Sequence, residues 1–317
     1  MQTYFTIKKG NIISSTADEA VIRVFKAPSA EEKQEIIQLL GIESYDFDAA
    51  LDLDEISRVE FNQEHSSIIW KQPHTGFNLK AQFDSFPVGF FIQKNSLIMI
   101  MVDVEDDVPF AEKIFEGVES INDVVLRYFF YTTRQYLSHL KTIKQTTAQI
   151  QSKLNSSFEN KYLLQMFDIS ESLVYYIDAI EANGAVLEKL RMSEEKIKLS
   201  PKQKAFLDDT IQENTQSSRQ AHIYSALLSG LMDARGNIVN NNMNVLLKNL
   251  TLVNVIFLPL SILAGMGGMS EFSRLLDKNR FSWELGFLLF GMALMAIGLL
   301  LWLVLKKVLY RTKNGKE

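Results

Sequence analysis

The sequence predicts an α+β membrane protein: an N-terminal α/β domain in the cytosol, a long helical arm and stalk, and two C-terminal transmembrane helices. Three observations carry this. Short strand-like runs separated by turn signals are confined to about the first 110 residues. Amphipathic helical periodicity follows, with no proline between residues 111 and 199. Two uncharged apolar runs close the chain, Leu250 to Gly268 and Leu285 to Leu305. At ~1.5 Å per residue they reach about 28 and 31 Å, close to the ~30 Å hydrocarbon core of a bilayer.

Within residues 1–110, YFTIKKGNIIS and AVIRVFKA read as strands. SAEEKQEIIQLLG reads as a helix, with Ser29 as N-cap and Gly41 just past its end. SSIIWKQ, FNLKAQF, VGFFIQ and SLIMIMVD supply further β-rich runs, with turn signals at Pro73 to Gly76 and Lys94 to Ser96. A mixed sheet is expected. Two acidic clusters punctuate it: Asp46, Asp48, Asp52, Asp54 and Glu55, then Asp103, Glu105, Asp106 and Asp107. The first lacks the central glycine and twelfth-position glutamate of an EF-hand loop, and charge runs of this kind are ordinarily solvated faces.

Residues 111–199 predict a helical arm hairpin, in which Phe129, Phe130, Tyr136, Leu140 and Ile143 are helix-contact residues and Gly184 weakens its helix locally. Ser200 and Pro201 mark a new start, serine at the cap and proline in the first turn. Residues 200–268 then form a stalk that runs into the first crossing. Unbroken to Gly265 it would be roughly 98 Å long, too long for one compact domain. An amide cluster, Asn237, Asn240, Asn241, Asn242 and Asn244, lies just before the apolar run. Residues 269–283 form the outer loop, and 284–317 the second crossing with its tail.

The first crossing is not a plain lipid-facing helix. Asn244, Thr251, Leu258 and Gly265 recur every seven residues, and Leu247, Asn254 and Ser261 recur beside them, so both rows share one helix face. An amide such as Asn254 is costly against lipid tails and normally turns toward a helix interface or a water-filled cavity. Interhelical hydrogen bonding and a pore lining both meet that demand. A pore requires several copies of the chain, because one helix cannot enclose a water path. Pro259 inside the crossing predicts a mild kink. Lys306, Lys307, Arg311, Lys313 and Lys316 follow the second run, and such residues are retained in the cytoplasm, so both termini are expected there.

Composition narrows the function classes. With 317 residues, 47% of them hydrophobic, the chain can hold an ordinary soluble domain and two crossings. A net charge of -5 leaves no nucleic-acid footprint, and the absence of cysteine excludes disulfides and thiolate metal sites. MQTYFTIKKGNIISS has no apolar core of signal-peptide length. His65, His74, His139 and His222 show neither paired metal spacing nor a nearby nucleophile. Gly265 to Gly268 lacks the Gly-Lys-Ser/Thr ending of a phosphate loop, so no nucleotide and no enzymatic activity are expected.

The run FLPLSILAGMGGMSEF, preceded by a long polar helix and followed by a second crossing with a basic tail, resembles the CorA family of magnesium channels. The similarity continues back through LMDARGNIVNNNMNVLLKNLT and, more loosely, through LLGIESYDFDAALDLDEISRVEF and SLIMIMVD. The resemblance implies a homopentamer embedded in cell-membrane lipid that conducts a divalent cation passively. Mg²⁺ is the first candidate, with Co²⁺ or Ni²⁺ beside it, and Zn²⁺ or another transition metal is the alternative. Asn244, Leu247, Thr251, Asn254, Leu258 and Ser261 would line its path, Leu247 and Leu258 as apolar constrictions.

At the outer mouth the chain departs from the family. Gly268, Met269 and Ser270 stand where the family has Gly-Met-Asn, and Gly267 stands where it has an aromatic. The following loop carries Arg274, Lys278 and Arg280 against Glu271 and Asp277, although Glu271 beside Ser270 could supply a local negative ring. These departures keep a non-conducting membrane-anchored scaffold as the alternative from another class. The family also holds regulatory magnesium between a cytosolic domain and a neighbour's stalk. The matching positions are Glu64 and Asp209, with Asp208 nearby.

Overall fold

The computed structural model describes residues 1–62, 65–74, 85–102, 108–156, 161–270, 274 and 283–314. The expected strand FNLKAQF, the second acidic cluster, Glu64 and Glu271 lie outside the described residues. Two units are distinguished, Met1–Met232 and Asp233–Glu317.

The first unit is built on a seven-stranded sheet of order β2-β1-β3-β7-β6-β5-β4. Its strands are β1 (Gln2–Lys8), β2 (Asn11–Ser14), β3 (Ile22–Lys26), β4 (Arg58–Phe61), β5 (Ser66–Pro73), β6 (Ser85–Gln93) and β7 (Ser96–Met101). All neighbours are antiparallel except β3 and β7, which pair in parallel from Ile22↔Leu97 to Lys26↔Met101. The run YFTIKKGNIIS, expected as one strand, is a hairpin instead. Lys9 (φ 51) and Gly10 (φ 78) form a two-residue turn with both φ positive, whose twist matches that of the paired strands.

Period-2 alternation sorts the sheet's side chains into two cores. Val24, Ile68, Trp70, Val88, Phe90, Leu97 and Met99 face one side. Phe25, Ile69, Phe91, Ile98 and Ile100 face the other, against α1 (Ala30–Leu40) and α2 (Ser44–Ala49). Helix α1 begins at Ser29 with a full capping box shared with Glu32 and ends at Gly41 (φ 63), as its sequence predicts. Gly89 of β6 lets α2 approach closely, because a Cβ there would lie 2.5 Å from that of Ala50.

The first face is covered by α3 (Ile121–Ser156) and α4 (Lys161–Met192), followed by the short α5 (Glu194–Ile197) and the long α6 (Pro201–Gly267). Trp70 stacks on Phe129 and donates its indole N–H to Thr132, 2.9 Å away, while Tyr128 donates to Gln72. Within this unit α6 buries Leu207, Thr210, Asn214, Ser217, Ala221 and Leu228 along one side. Small residues there admit close packing. Asn214 donates to the Ile180 carbonyl at 2.9 Å, and a Cβ on Gly184 would lie 2.9 Å from the same amide nitrogen. Gly184 therefore accommodates a polar contact between helices.

The second unit holds the end of α6 and α7 (Trp283–Asn314). Both helices are long and apolar enough to cross a membrane. Their apolar windows are almost wholly unburied within the chain, unlike the core helix of a soluble protein. Helix α6 is continuous through Pro259.

Candidate functional site

The six residues of the expected polar row, Asn244, Leu247, Thr251, Asn254, Leu258 and Ser261, are all exposed in the chain. At about 100° per residue they fall within a sector of roughly 100° on α6. Leu252, Ile256, Leu260, Leu263 and Gly267 are the more covered residues of the same stretch, and they lie on the opposite side. That covered side receives α7. A Cβ on Gly298 of α7 would lie 3.1 Å from Leu260, and a Cβ on Gly267 of α6 would lie 2.4 Å from the Phe290 ring. The second crossing therefore packs behind the polar row and leaves it uncovered.

The hydroxyl of Thr251 donates to the Leu247 carbonyl, 2.8 Å away. With its proton held inside the helix, its lone pairs are left to accept a hydrogen bond or to face a cation. Among the described residues, none in this chain hydrogen-bonds the Asn254 amide. In a bilayer an amide needs water or another chain. The row thus pairs neutral oxygen donors with the apolar Leu247 and Leu258, a chemistry suited to hydrated hard cations.

Helix α6 ends at Gly267. The N–H groups of Gly268 and Met269 donate to the carbonyls of Gly265 and Met266, 3.2 Å each, tightening the last turn. Gly268, Met269 and Ser270 follow, all exposed.

The expected regulatory carboxylates divide. Asp208 is engaged by Arg191, Nε to Oδ1 2.9 Å. Asp209 is exposed and lines a cavity of about 240 Å³ with Asp123, Arg127, Lys202 and Phe206. Adjacent helical residues point about 100° apart, so the two do not converge. Nearby, Asp123 accepts from the Glu119 and Ser120 N–H groups and from Gln203, tying the start of α3 to that of α6. Burial raises its pKa, but these hydrogen bonds together outweigh that and hold it below the usual carboxylate value.

The first acidic cluster is absorbed locally. Asp48 pairs with Lys33 at 2.5 Å, Glu55 pairs with Arg58, and the Asp52 side chain accepts from the Asp54 N–H. Asp46 lies 4.0 Å from Arg58, and burial followed by the nearby Glu60 raises its pKa. Among the described residues, no group of three His, Asp or Glu side chains could hold a metal ion. His222 pairs with Glu181, His65 with Asn62 and His139 with Tyr176.

Sequence reasoning missed Phe290 and Gly298. The signal was present in the spacing of Gly286, Gly291 and Gly298 through the second apolar run, since small residues mark helix-packing faces in membranes.

A protein-family model described as "CorA-like Mg2+ transporter protein" matches residues 20–307. The chain is 24% identical over 277 residues to the cobalt/magnesium transport protein CorA of Methanocaldococcus jannaschii, covering 83% of this chain and 86% of that one. To the protein of the same name from Thermotoga maritima it is 22% identical over 280 residues, 86% and 79% of the two chains. Among solved structures, the complete CorA magnesium transporter from M. jannaschii superposes with a TM-score of 0.74 at 20% identity, covering 96% of both chains. The full-length CmaX protein gives 0.71 at 14% identity, covering 97% of both.

Proposed function

The chain belongs to the CorA-like Mg²⁺ transporter family, and on that premise we propose that it is a divalent-cation channel, with Mg²⁺ the first substrate. One observation carries the proposal. The polar row of α6 faces away from α7, and among the described residues of the chain none hydrogen-bonds the Asn254 amide. Copies of α6 arranged around an axis satisfy that amide with water or with each other, and a homopentamer is the assembly that the family resemblance supports. Both termini lie in the cytoplasm, held there by the basic tail.

A doubly charged ion gains about 4.6 kcal/mol per 100 mV of inside-negative potential, from ~2.3 per charge, so entry needs no nucleotide. The Gly268–Ser270 turn forms the outer mouth, where serine hydroxyls meet the ion through its water shell. Asp209, rather than the Arg191-bound Asp208, is the stalk carboxylate for cation sensing, with Glu64 of a neighbouring copy as its partner.

The test is cation uptake into liposomes carrying the purified full chain under an imposed inside-negative potential, with Mg²⁺, Co²⁺ and Zn²⁺ in competition. Potential-driven Mg²⁺ entry that Asn244→Leu reduces supports the proposal. Absence of flux from assembled protein overturns it in favour of a non-conducting scaffold.

A further inference from the structure

Of the glycines clustered at the end of α6, packing demands only one. A Cβ added at Gly265 would meet nothing within 4 Å, and one at Gly268 would meet only the Gly265 carbonyl at 3.5 Å. At Gly267 it would lie 2.4, 2.9 and 3.1 Å from three ring atoms of Phe290, Cε1, Cζ and Cδ1. Gly267 is buried, while Met266 before it and Gly268, Met269 and Ser270 after it are exposed. The ring of α7 thus sits directly on the last helical residue of α6, where the chain turns out of the helix.

A second contact of the same kind sets the register. Leu260 fits against Gly298, seven residues earlier on α6 and eight later on α7, as an antiparallel pair requires. Lipid tails are as apolar as leucine, so no hydrophobic force joins these helices; fit between large and small residues does. Phe290 is the larger wedge of the two, and it packs on the residue just before Gly268, Met269 and Ser270.

We propose that Phe290 is a positioning residue for the mouth: its ring, locked over Gly267, sets where Gly268, Met269 and Ser270 stand and therefore how a hydrated divalent cation is received. This rests on the reading of that turn as the entry. The second crossing is then more than a membrane anchor, because it supplies the side chain that orients the signature.

The test exploits the absence of cysteine from the chain. Met269→Cys provides a single thiol at the turn, and its rate of reaction with a membrane-impermeant maleimide is read in proteoliposomes of the full chain. On that background Phe290→Ala and Gly267→Ala should each change the rate several-fold. The exchange G267F with F290G, which supplies the ring from the opposite helix, should return it toward the parent value. Mg²⁺ uptake by the same variants, without the cysteine, should show a several-fold rise in half-saturating concentration for Phe290→Ala, with a smaller fall in maximal rate, and recovery in the exchange.

Equal labelling of the parent and Phe290→Ala, or an exchange no better than its single variants, overturns the inference even where the native chain transports. Coupled labelling in a chain that carries no cation keeps the positioning and overturns the channel reading.

Discussion

Asn183 completes the hydrogen bonding of Lys71 where the sheet runs out. Strand β4 pairs with β5 only as far as Arg58↔Ile69, so the next outward-facing backbone groups of β5, those of Lys71, have no strand beside them. The fully buried Asn183 of α4 donates to the Lys71 carbonyl at 2.7 Å and accepts from its N–H at 3.1 Å. Ser57 donates to the same Asn183 oxygen at 2.8 Å. One carboxamide thus acts as a further residue of strand and fastens the arm to the sheet.

Asn183→Leu keeps the volume and removes both contacts. The Lys71 N–H keeps the Ser57 hydroxyl at 3.2 Å, but the buried Lys71 carbonyl is left unpaired at a cost of about 1–3 kcal/mol, so the apparent melting temperature of the detergent-purified chain should fall clearly. Asn183→Asp turns a second oxygen toward the Lys71 carbonyl and buries a carboxylate, so it should fall at least as far as Asn183→Leu.

Gly89→Ala should destabilise although alanine is the smallest side chain, because its Cβ would lie 2.5 Å from that of Ala50. Overpacking of this kind costs about 1–3 kcal/mol. Ala50→Gly in the same chain should recover most of the loss, and a double-mutant cycle on melting temperature measures the coupling.

Acid sensitivity should pass through His139. Burial, followed by the nearby His74, holds its pKa below the ordinary 6.5. Below that value the unfolded chain takes up a proton that the folded chain refuses. The stabilisation is therefore complete above pH 6.5 and is lost as pH falls toward the lowered folded value. Melting temperature should drop through this window, and His139→Gln should flatten the drop.

Asn254→Leu should leave assembly intact, since leucine suits a membrane helix, while it cuts potential-driven uptake by about tenfold, a barrier rise of ~1.4 kcal/mol. Sizing of the purified assembly and liposome flux check the two halves separately. Ser270→Asn should change flux without changing assembly.

Features set by neighbours in the chain were legible in the sequence. The α1 capping box, its Gly41 terminus and the two crossings depend on residues within a few turns of each other, so their patterns survive without tertiary knowledge. The Lys9–Gly10 turn escaped, because a lysine with positive φ is an uncommon hairpin residue and the flanking runs joined into one apparent strand.

The candidate site was half legible. Heptad spacing alone placed Asn244, Leu247, Thr251, Asn254, Leu258 and Ser261 on one face, because helical period is a local property. Which side α7 would take was not, since almost every residue of both crossings is apolar and any face could have packed. Close fit at Gly267–Phe290 and Leu260–Gly298 decided it, leaving the polar row open. Periodicity and apolar length along the chain thus account for the long helices, the two crossings and the residues that share a face. Three-dimensional packing placed Asn183 beside β5 beyond the end of β4 and set the Phe290 ring on Gly267. Both depend on shape complementarity between residues far apart in the chain, which no local pattern encodes.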